Sequence, residues 1–386
     1  MSLKIGAGRL VPPFRVMDVI QAANQRAATQ PATAPKILRM EVGQPGTGLP
    51  TGARLAVEAA LKSGEALGYT EVLGRPSLRA RISRHIRDWY GIDVPPARIA
   101  VTIGASAAFP LAFLSCFDQG DKIALAAPYY PPYYNILTAL GLKPIVMPCG
   151  IETGFQPTID MLKALPEQPD GLMIASPANP TGSMLAPQAL ETLCRYCDEA
   201  GIRLISDEIY HGLTYGKPQA SAAQFSENAV IINSFSKYFS MTGWRIGWAV
   251  VPEPLIRVVE RLAASFFISA PFVSQVAAEA ALDCHEELQA RRAAYEQARS
   301  LVMQGLRDAG FPHFSPPDGA FYIYADIENR AADSAAFCAD LLARQGIAAT
   351  PGLDFDAARG GRYFRLSYCA DFADVKDAME RIKRIV

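Results

Sequence analysis

The sequence is short of the features that mark specialised protein classes, and each shortage removes a class of function. Neither sign of charge is in excess, with 37 Lys and Arg against 38 Asp and Glu and a formal net charge of −1. So even a balance offers no field to hold nucleic acid or an anionic membrane surface, and neither partner is expected. Only four histidines occur, His85, His211, His285 and His313, far apart and without H-E-x-x-H spacing, so the sequence gives no metal site. Long apolar runs are missing too. The least charged long stretch, Leu262–Ala278, contains Ser265, Ser269, Pro271, Ser274 and Gln275 and is short for a membrane span. It reads as a buried helix or a subunit interface. At the start, Lys4, Arg9 and Arg15 interrupt the chain and no apolar run follows, so a secretory leader is not expected.

Cysteine is present but scattered: seven residues, an odd number, exclude a disulfide framework and point to a reducing cytoplasm. Cys194 and Cys197 form a C-x-x-C, yet they continue a helical apolar pattern through Leu190 and Leu193 and read as small core residues.

What is present is a globular composition, half hydrophobic and 19% charged, in a 386-residue chain too long for one ordinary core. Short apolar runs recur at Ile99–Ile103, Lys122–Ala126, Lys143–Met147, Gly171–Ala175, Arg203–Ser206, Val230–Asn233 and Ile246–Val251, separated by amphipathic helical patterns. Runs apolar on both faces, alternating with helices, predict an α/β fold with a mostly parallel sheet covered on both sides. After residue 284 the pattern changes to one long charged helix, His285–Ala309, and then to strands Phe321–Tyr324 and Tyr363–Ser367 mixed with helices Ser334–Gln345 and Phe372–Ile385. The expected division is a large domain, 46–284, and a smaller α+β domain formed by 1–45 with 285–386.

Ligands of parallel sheets collect beyond the carboxyl ends of the strands. Four such ends carry suggestive groups: Gly104-Ala105-Ser106, Asn179-Pro180-Thr181-Gly182, Asp207-Glu208-Ile209-Tyr210 and Ser234-Phe235-Ser236-Lys237. Lys237 follows a buried strand, among small hydroxyls, apolar groups and glycines, with a second cation at Arg245. A lysine in partly apolar surroundings beside another cation has a lowered pKa and can form Schiff bases. Alone, a lysine after a strand is an ordinary surface lysine, Asp207-Glu208 an acid pair at a helix start, and Asn179 a turn residue before proline.

The segment S-F-S-K with Arg eight residues after the lysine, inside G-W-R-I-G, resembles the cofactor-lysine signature of the class I/II aminotransferases, the fold-type I family dependent on pyridoxal 5'-phosphate (PLP). Further motifs match in the same order from Gly43 to Arg365. The resemblance implies a three-layer fold-type I architecture in which Lys237 carries PLP through a Schiff base and then moves the substrate's α-proton. It implies that Asp207 pairs with the pyridine nitrogen, that Tyr210 and Asn179 hydrogen-bond the ring oxygen, and that Tyr130 stacks on the ring. The phosphate would be held by Gly104, Ala105, Ser106, Ser234 and Arg245, with Ser236 either helping or only packing. Arg365 would clamp the substrate carboxylate, with Gly43 and Asn179 beside it. Tyr69 would reach the phosphate of a neighbouring subunit, implying a homodimer with shared sites.

The implied activity is amino-group exchange between a small amino acid and a 2-oxo acid; C–S β-elimination is the alternative, because the same lysine and electron sink serve it. A regulator with an aminotransferase-like domain would need a DNA-binding module, and no basic helical pattern precedes the first motif. A structural protein would not need Lys237, Asp207, Asn179, Arg245 and Arg365 together. The family's usual acidic or aromatic residues after Gly-x-Pro are replaced by Gly46-Thr47-Gly48-Leu49, a segment expected to line the substrate pocket. Tyr130, Tyr133, Phe14 and Phe321 read equally as pocket or core.

Overall fold

The computed structural model describes residues 3–31, 33–328 and 330–385. Its main sheet has seven strands in the order Ile99–Thr102, Gly247–Val250, Val230–Ser234, Arg203–Asp207, Gly171–Ala175, Lys122–Ala127 and Lys143–Pro148. Gly247–Val250 runs antiparallel to both neighbours; the other pairings are parallel. The strands expected from the sequence therefore stand within a residue or so at their ends.

Alternation within these strands explains the three layers. Leu172, Ile174, Leu204 and Ile231 feed one buried cluster, whereas Met173, Ile205 and Ile232 feed another that includes Phe109, Phe113 and Leu137 from covering helices. Each central strand thus buries apolar side chains on both faces, which a parallel sheet requires.

The second sheet is antiparallel, in the order Thr350–Pro351, Tyr363–Ser367, Tyr322–Asp326. Its covering helix Ser334–Gln345 starts where Asp333 accepts the amides of Ala335 and Ala336 and ends at Gly346 in the left-handed region, φ 67°. An aspartate before a helix and a glycine after it are favoured caps, which fixes the ends at the span the sequence predicts. The long helix spans His285–Asp308, and the last helix ends at Ile382 before a 3₁₀ turn, three residues short of its expected end.

The low-charge stretch Leu262–Ala278 is broken rather than one continuous helix. Helix Ile256–Phe266 ends, a turn containing Ile268 at φ 65° intervenes, and Phe272–Ala281 begins directly after Pro271. Proline cannot continue a helix through its own position but is tolerated at a helix start. Among the described residues, no helix is long and apolar enough to cross a membrane.

Candidate active site

Strand ends bring the chemistry together. Asp207 and Ser234 are the last residues of their strands, Ser236 and Lys237 follow Ser234, and Ala105 opens the helix Ala105–Cys116 beyond Ile99–Thr102. These ends surround a cavity of about 330 Å³ lined by Gly43, Ala105, Ser106, Tyr130, Asn179, Tyr210, Ser234, Ser236, Lys237, Arg245 and Arg365, all expected at the site. Three residues expected to bind the cofactor do not line it. Gly104 stands behind Ala105, Asp207 lies behind the wall, and Tyr69 is 83% exposed elsewhere on the surface.

At one end of the cavity, donors converge. The amide of Ala105 opens its helix, Ser234 and Ser236 hydroxyls lie 2.9 Å apart, and the Arg245 guanidinium reaches to 3.4 Å from the Ser106 hydroxyl. Gly104 adopts φ 69°, and a Cβ there would sit 2.6 Å from Arg245 Nη2. Only glycine lets backbone and guanidinium approach so closely while remaining in the left-handed region. A helix N-terminus, hydroxyls and an arginine together form a phosphate-sized cradle.

Lys237 occupies the middle. Its Nζ donates to the Gly43 carbonyl at 2.7 Å and lies 5.8 Å from the Tyr210 ring centre. Burial lowers its pKa to about 8; Cys369 and Asp207 oppose that shift, and the cations of Arg365 and Arg245 add to it. In cofactor-free protein, competitive acetylation of Lys237 should therefore titrate near pH 8. A midpoint at the ordinary lysine value of 10.5 would show that the amine is not desolvated in solution.

Asp207 is 2% exposed. Its carboxylate accepts from the Tyr133 hydroxyl and from the Ile209 amide, the latter at 3.0 Å. Burial pushes its pKa up to about 6, against the pull of those two hydrogen bonds and of Lys237. Tyr133 does line the cavity, one helical turn beyond Tyr130, so it bridges the cavity wall to the buried acid. The sequence marked Tyr133 only as an aromatic of undecided role.

Arg365 is buried at the other end. It donates to the Asn179 carbonyl oxygen at 2.9 Å, to the Thr350 hydroxyl at 3.0 Å and to the Glu41 carbonyl, and it lies 4.6 Å over the Tyr322 ring. Its Nε has no partner among the described residues. A buried guanidinium is costly unless charge answers it, and its fork of donors suits a carboxylate.

Tyr322 was not singled out from the sequence, although it lies in an expected strand. Its hydroxyl is 2.9 Å from that of Tyr210, and a Cβ on Gly43 would sit 1.6 Å from it. Gly43 is thus required by close approach, not by a turn. Phe14, Val16, Met17, Ile20 and Glu41 also line the cavity. Phe14 joins Tyr130 edge-on at 6.1 Å, whereas Phe321 is fully buried behind the wall.

The segment Gly46–Leu49 does not line the cavity. Gly46 binds the Cys369 carbonyl at 3.3 Å, Thr47 meets Ser240 at 2.8 Å and the Gly48 carbonyl accepts from Arg291 at 2.7 Å, so hydrogen bonds to distant parts of the chain turn it outward. Cys194 and Cys197 are buried in helix Pro187–Ala200, and burial pushes the Cys197 thiol up to about 12.

The cavity fits PLP: a phosphate cradle and an amine lie along one trough, with Tyr130 on its wall and the acid Asp207 buried behind it. The chain matches the aminotransferase class I and II family over residues 35–382. It is 46% identical over 376 residues to a valine–pyruvate aminotransferase of Mycobacterium tuberculosis, covering 96% of each chain. It is 32% identical over 378 residues, 97% of this chain and 96% of the other, to a (5-formylfuran-3-yl)methyl phosphate transaminase of Methanocaldococcus jannaschii. A crystal structure of an aminotransferase from Mycobacterium tuberculosis superposes with a TM-score of 0.96 at 45% identity over 99% of both chains. The aspartate aminotransferase of Thermus thermophilus with maleate gives 0.92 at 28% identity over 100% of both. This chain therefore belongs to the class I and II aminotransferases, and it is a PLP-dependent aminotransferase of fold type I.

Proposed function

We propose that this aminotransferase takes its amino group from a small apolar amino acid, valine foremost, and passes it to pyruvate. The carrying observation is the wall of the cavity. Among the described residues, its only cations are Lys237, Arg245 and Arg365. Arg245 belongs to the phosphate cradle and Arg365 to the α-carboxylate, so no lining cation is left for a second substrate carboxylate. Phe14, Val16, Met17 and Ile20 present apolar surface there instead. An aliphatic side chain gains from that surface, whereas an ω-carboxylate would be desolvated beside it without a partner. The valine–pyruvate activity named for the Mycobacterium tuberculosis relative agrees with this reading.

In this reading Arg365, with Asn179 and Gly43, fixes the substrate by its α-carboxylate and so orients the α-hydrogen toward Lys237. Lys237 takes that proton and returns it; its lowered pKa leaves a useful fraction neutral near physiological pH. The Gly43 carbonyl, 2.7 Å away, steadies the ammonium after it is formed. Bound PLP supplies the electron sink for the pair left at the α-carbon. Asp207 would hold the proton on the pyridine nitrogen, with Tyr133 keeping the carboxylate aimed. Tyr210 and Asn179 would bond the ring oxygen, Tyr130 would cover the ring, and Ala105, Ser106, Ser234, Ser236 and Arg245 would hold the phosphate, with Gly104 permitting their approach.

Tyr69 is assigned to the site of a partner subunit in a homodimer. Its exposure outside its own chain's cavity supports this, as do exposed Leu55, Leu61, Phe266 and Ile268. Residues 46–284 would form the cofactor-carrying unit, and 1–45 with 285–386 the smaller one; the seven-stranded sheet lies wholly in the first range. A reducing cytoplasm is in keeping with seven cysteines, all free.

The test is a donor panel. With pyruvate as acceptor, kcat/KM for valine should exceed that for aspartate by more than about tenfold, the scale set by one mismatched group in a pocket. A preference for aspartate would overturn the substrate assignment while leaving the reaction class intact.

A further inference from the structure

We propose that the protein has a second small-molecule site, in the crevice between its two sheets, built for an aromatic monocarboxylate. Two lobes of about 220 and 290 Å³ adjoin there and share Phe155, Arg362 and Tyr363. None of these three residues lines the active-site cavity. Small-molecule sites run from about 300 to 1,000 Å³ and favour domain boundaries.

The walls are aromatic. Tyr363 stacks on Tyr324 at 4.8 Å and 15°, and Phe155 meets both rings edge-on at 6.1 Å. A flat apolar ring fits such surroundings by stacking or edge contact. The polar groups beside them are unfinished. Arg362 uses Nε on Asp326, and Arg359 uses Nε on Asp356 and Nη2 on the carbonyls of Ala127 and Cys149. The Nη1 of Arg359 and both terminal nitrogens of Arg362 bond no described residue and, on side chains 37% and 64% exposed, are open to a solute. Tyr324 is 1% exposed and lines the same lobe with its ring, its buried hydroxyl lying toward Gly352. Because Asp326 and Asp356 already face the two arginines, the crevice suits one carboxylate and not a dianionic phosphate.

The crevice is tied to the active site by the segment Gly352–Arg359. Within it, Asp354 accepts the amides of Arg15 and Val16 at 2.8 and 3.1 Å, at the start of the helix that carries Val16, Met17 and Ile20 into the active-site cavity. Phe355 lies 4.9 Å beneath the Arg365 guanidinium. An occupant gripping Arg359 therefore acts on the ends of the same segment that positions Arg365, a coupling between two sites. The coupling rests on reading Arg365 as the carboxylate clamp; the binding does not.

The probe is indole-3-acetate, which has one carboxylate and neither an amino nor an oxo group, titrated calorimetrically into the holoenzyme. One site per chain is expected, retained in Arg365→Ala and in the presence of saturating valine, and weakened at least tenfold in Arg362→Ala. The Arg362 side chain is 64% exposed, so this variant should fold, and its turnover without probe should match wild type. The KM for valine should shift at least twofold when the probe is bound to the wild-type enzyme and not when it is added to Arg362→Ala. Binding that vanishes with valine or with Arg365→Ala places the probe in the active site and overturns the proposal. So does the lack of saturable binding, or binding indifferent to Arg362.

Discussion

Lys237→Ala should reduce turnover of every amino acid by about 10⁴-fold or more, the upper end of what one positioned acid–base group contributes. In the proposed assignment one side chain has two tasks, attaching the cofactor and carrying the α-proton, and the expected loss is correspondingly large. The fold should survive, since the Lys237 Nζ makes one hydrogen bond, to the Gly43 carbonyl. Lys237→Arg should be equally inactive: a guanidinium keeps the charge but does not give up its proton near neutral pH. Borohydride treatment followed by peptide mass analysis gives a readout independent of rate. Wild type should carry one reduced adduct on the Lys237 peptide and the variant none; a variant that still forms the adduct in full removes Lys237 from its role.

Arg365→Ala should lower kcat/KM for α-amino acids by about 10² to 10³, within the roughly 2–5 kcal/mol typical of removing one partner of a buried charged pair. Cofactor content should stay unchanged, because the phosphate cradle lies at the other end of the cavity. Arg365→Lys should recover only part of the loss, since an ammonium lacks the fork that meets a carboxylate. Asn179, Thr350 and the Glu41 carbonyl each lose a donor in the alanine variant, so its melting temperature belongs beside its kinetics. An equal fall in turnover of amines lacking a carboxylate would make Arg365 structural.

Much of this was legible in the sequence because it is local. Strands buried on both faces write uninterrupted apolar runs, and the groups that follow them face one rim of the sheet; that alone gathers Lys237, Asn179 and the phosphate-cradle serines. The span of the helix Ser334–Gln345 was legible as well, and Asp333 and Gly346 cap it in the structure. What stayed hidden depends on contacts between distant parts of the chain. Tyr322 meets Tyr210 and Gly43 only because the small sheet docks on the large one. Tyr133 reads as one aromatic among four until the helix Pro131–Ala139 turns it onto Asp207. The segment Gly46–Leu49 matched a pocket-lining position by order in the chain, but its hydrogen bonds to Cys369, Ser240 and Arg291 direct it elsewhere. Composition around Leu262–Ala278 suggested continuity, which Pro271 and the left-handed Ile268 interrupt.

The central claim is that an amino group is moved and held, not released. Holoenzyme mixed with excess ¹⁵N-valine and no acceptor should yield one equivalent of the matching 2-oxo acid per chain and no free ammonia. The label should stay with the protein after rapid desalting, and added pyruvate should then collect it as ¹⁵N-alanine. Continued formation of 2-oxo acid with release of labelled ammonia, and no alanine on adding pyruvate, would contradict the account.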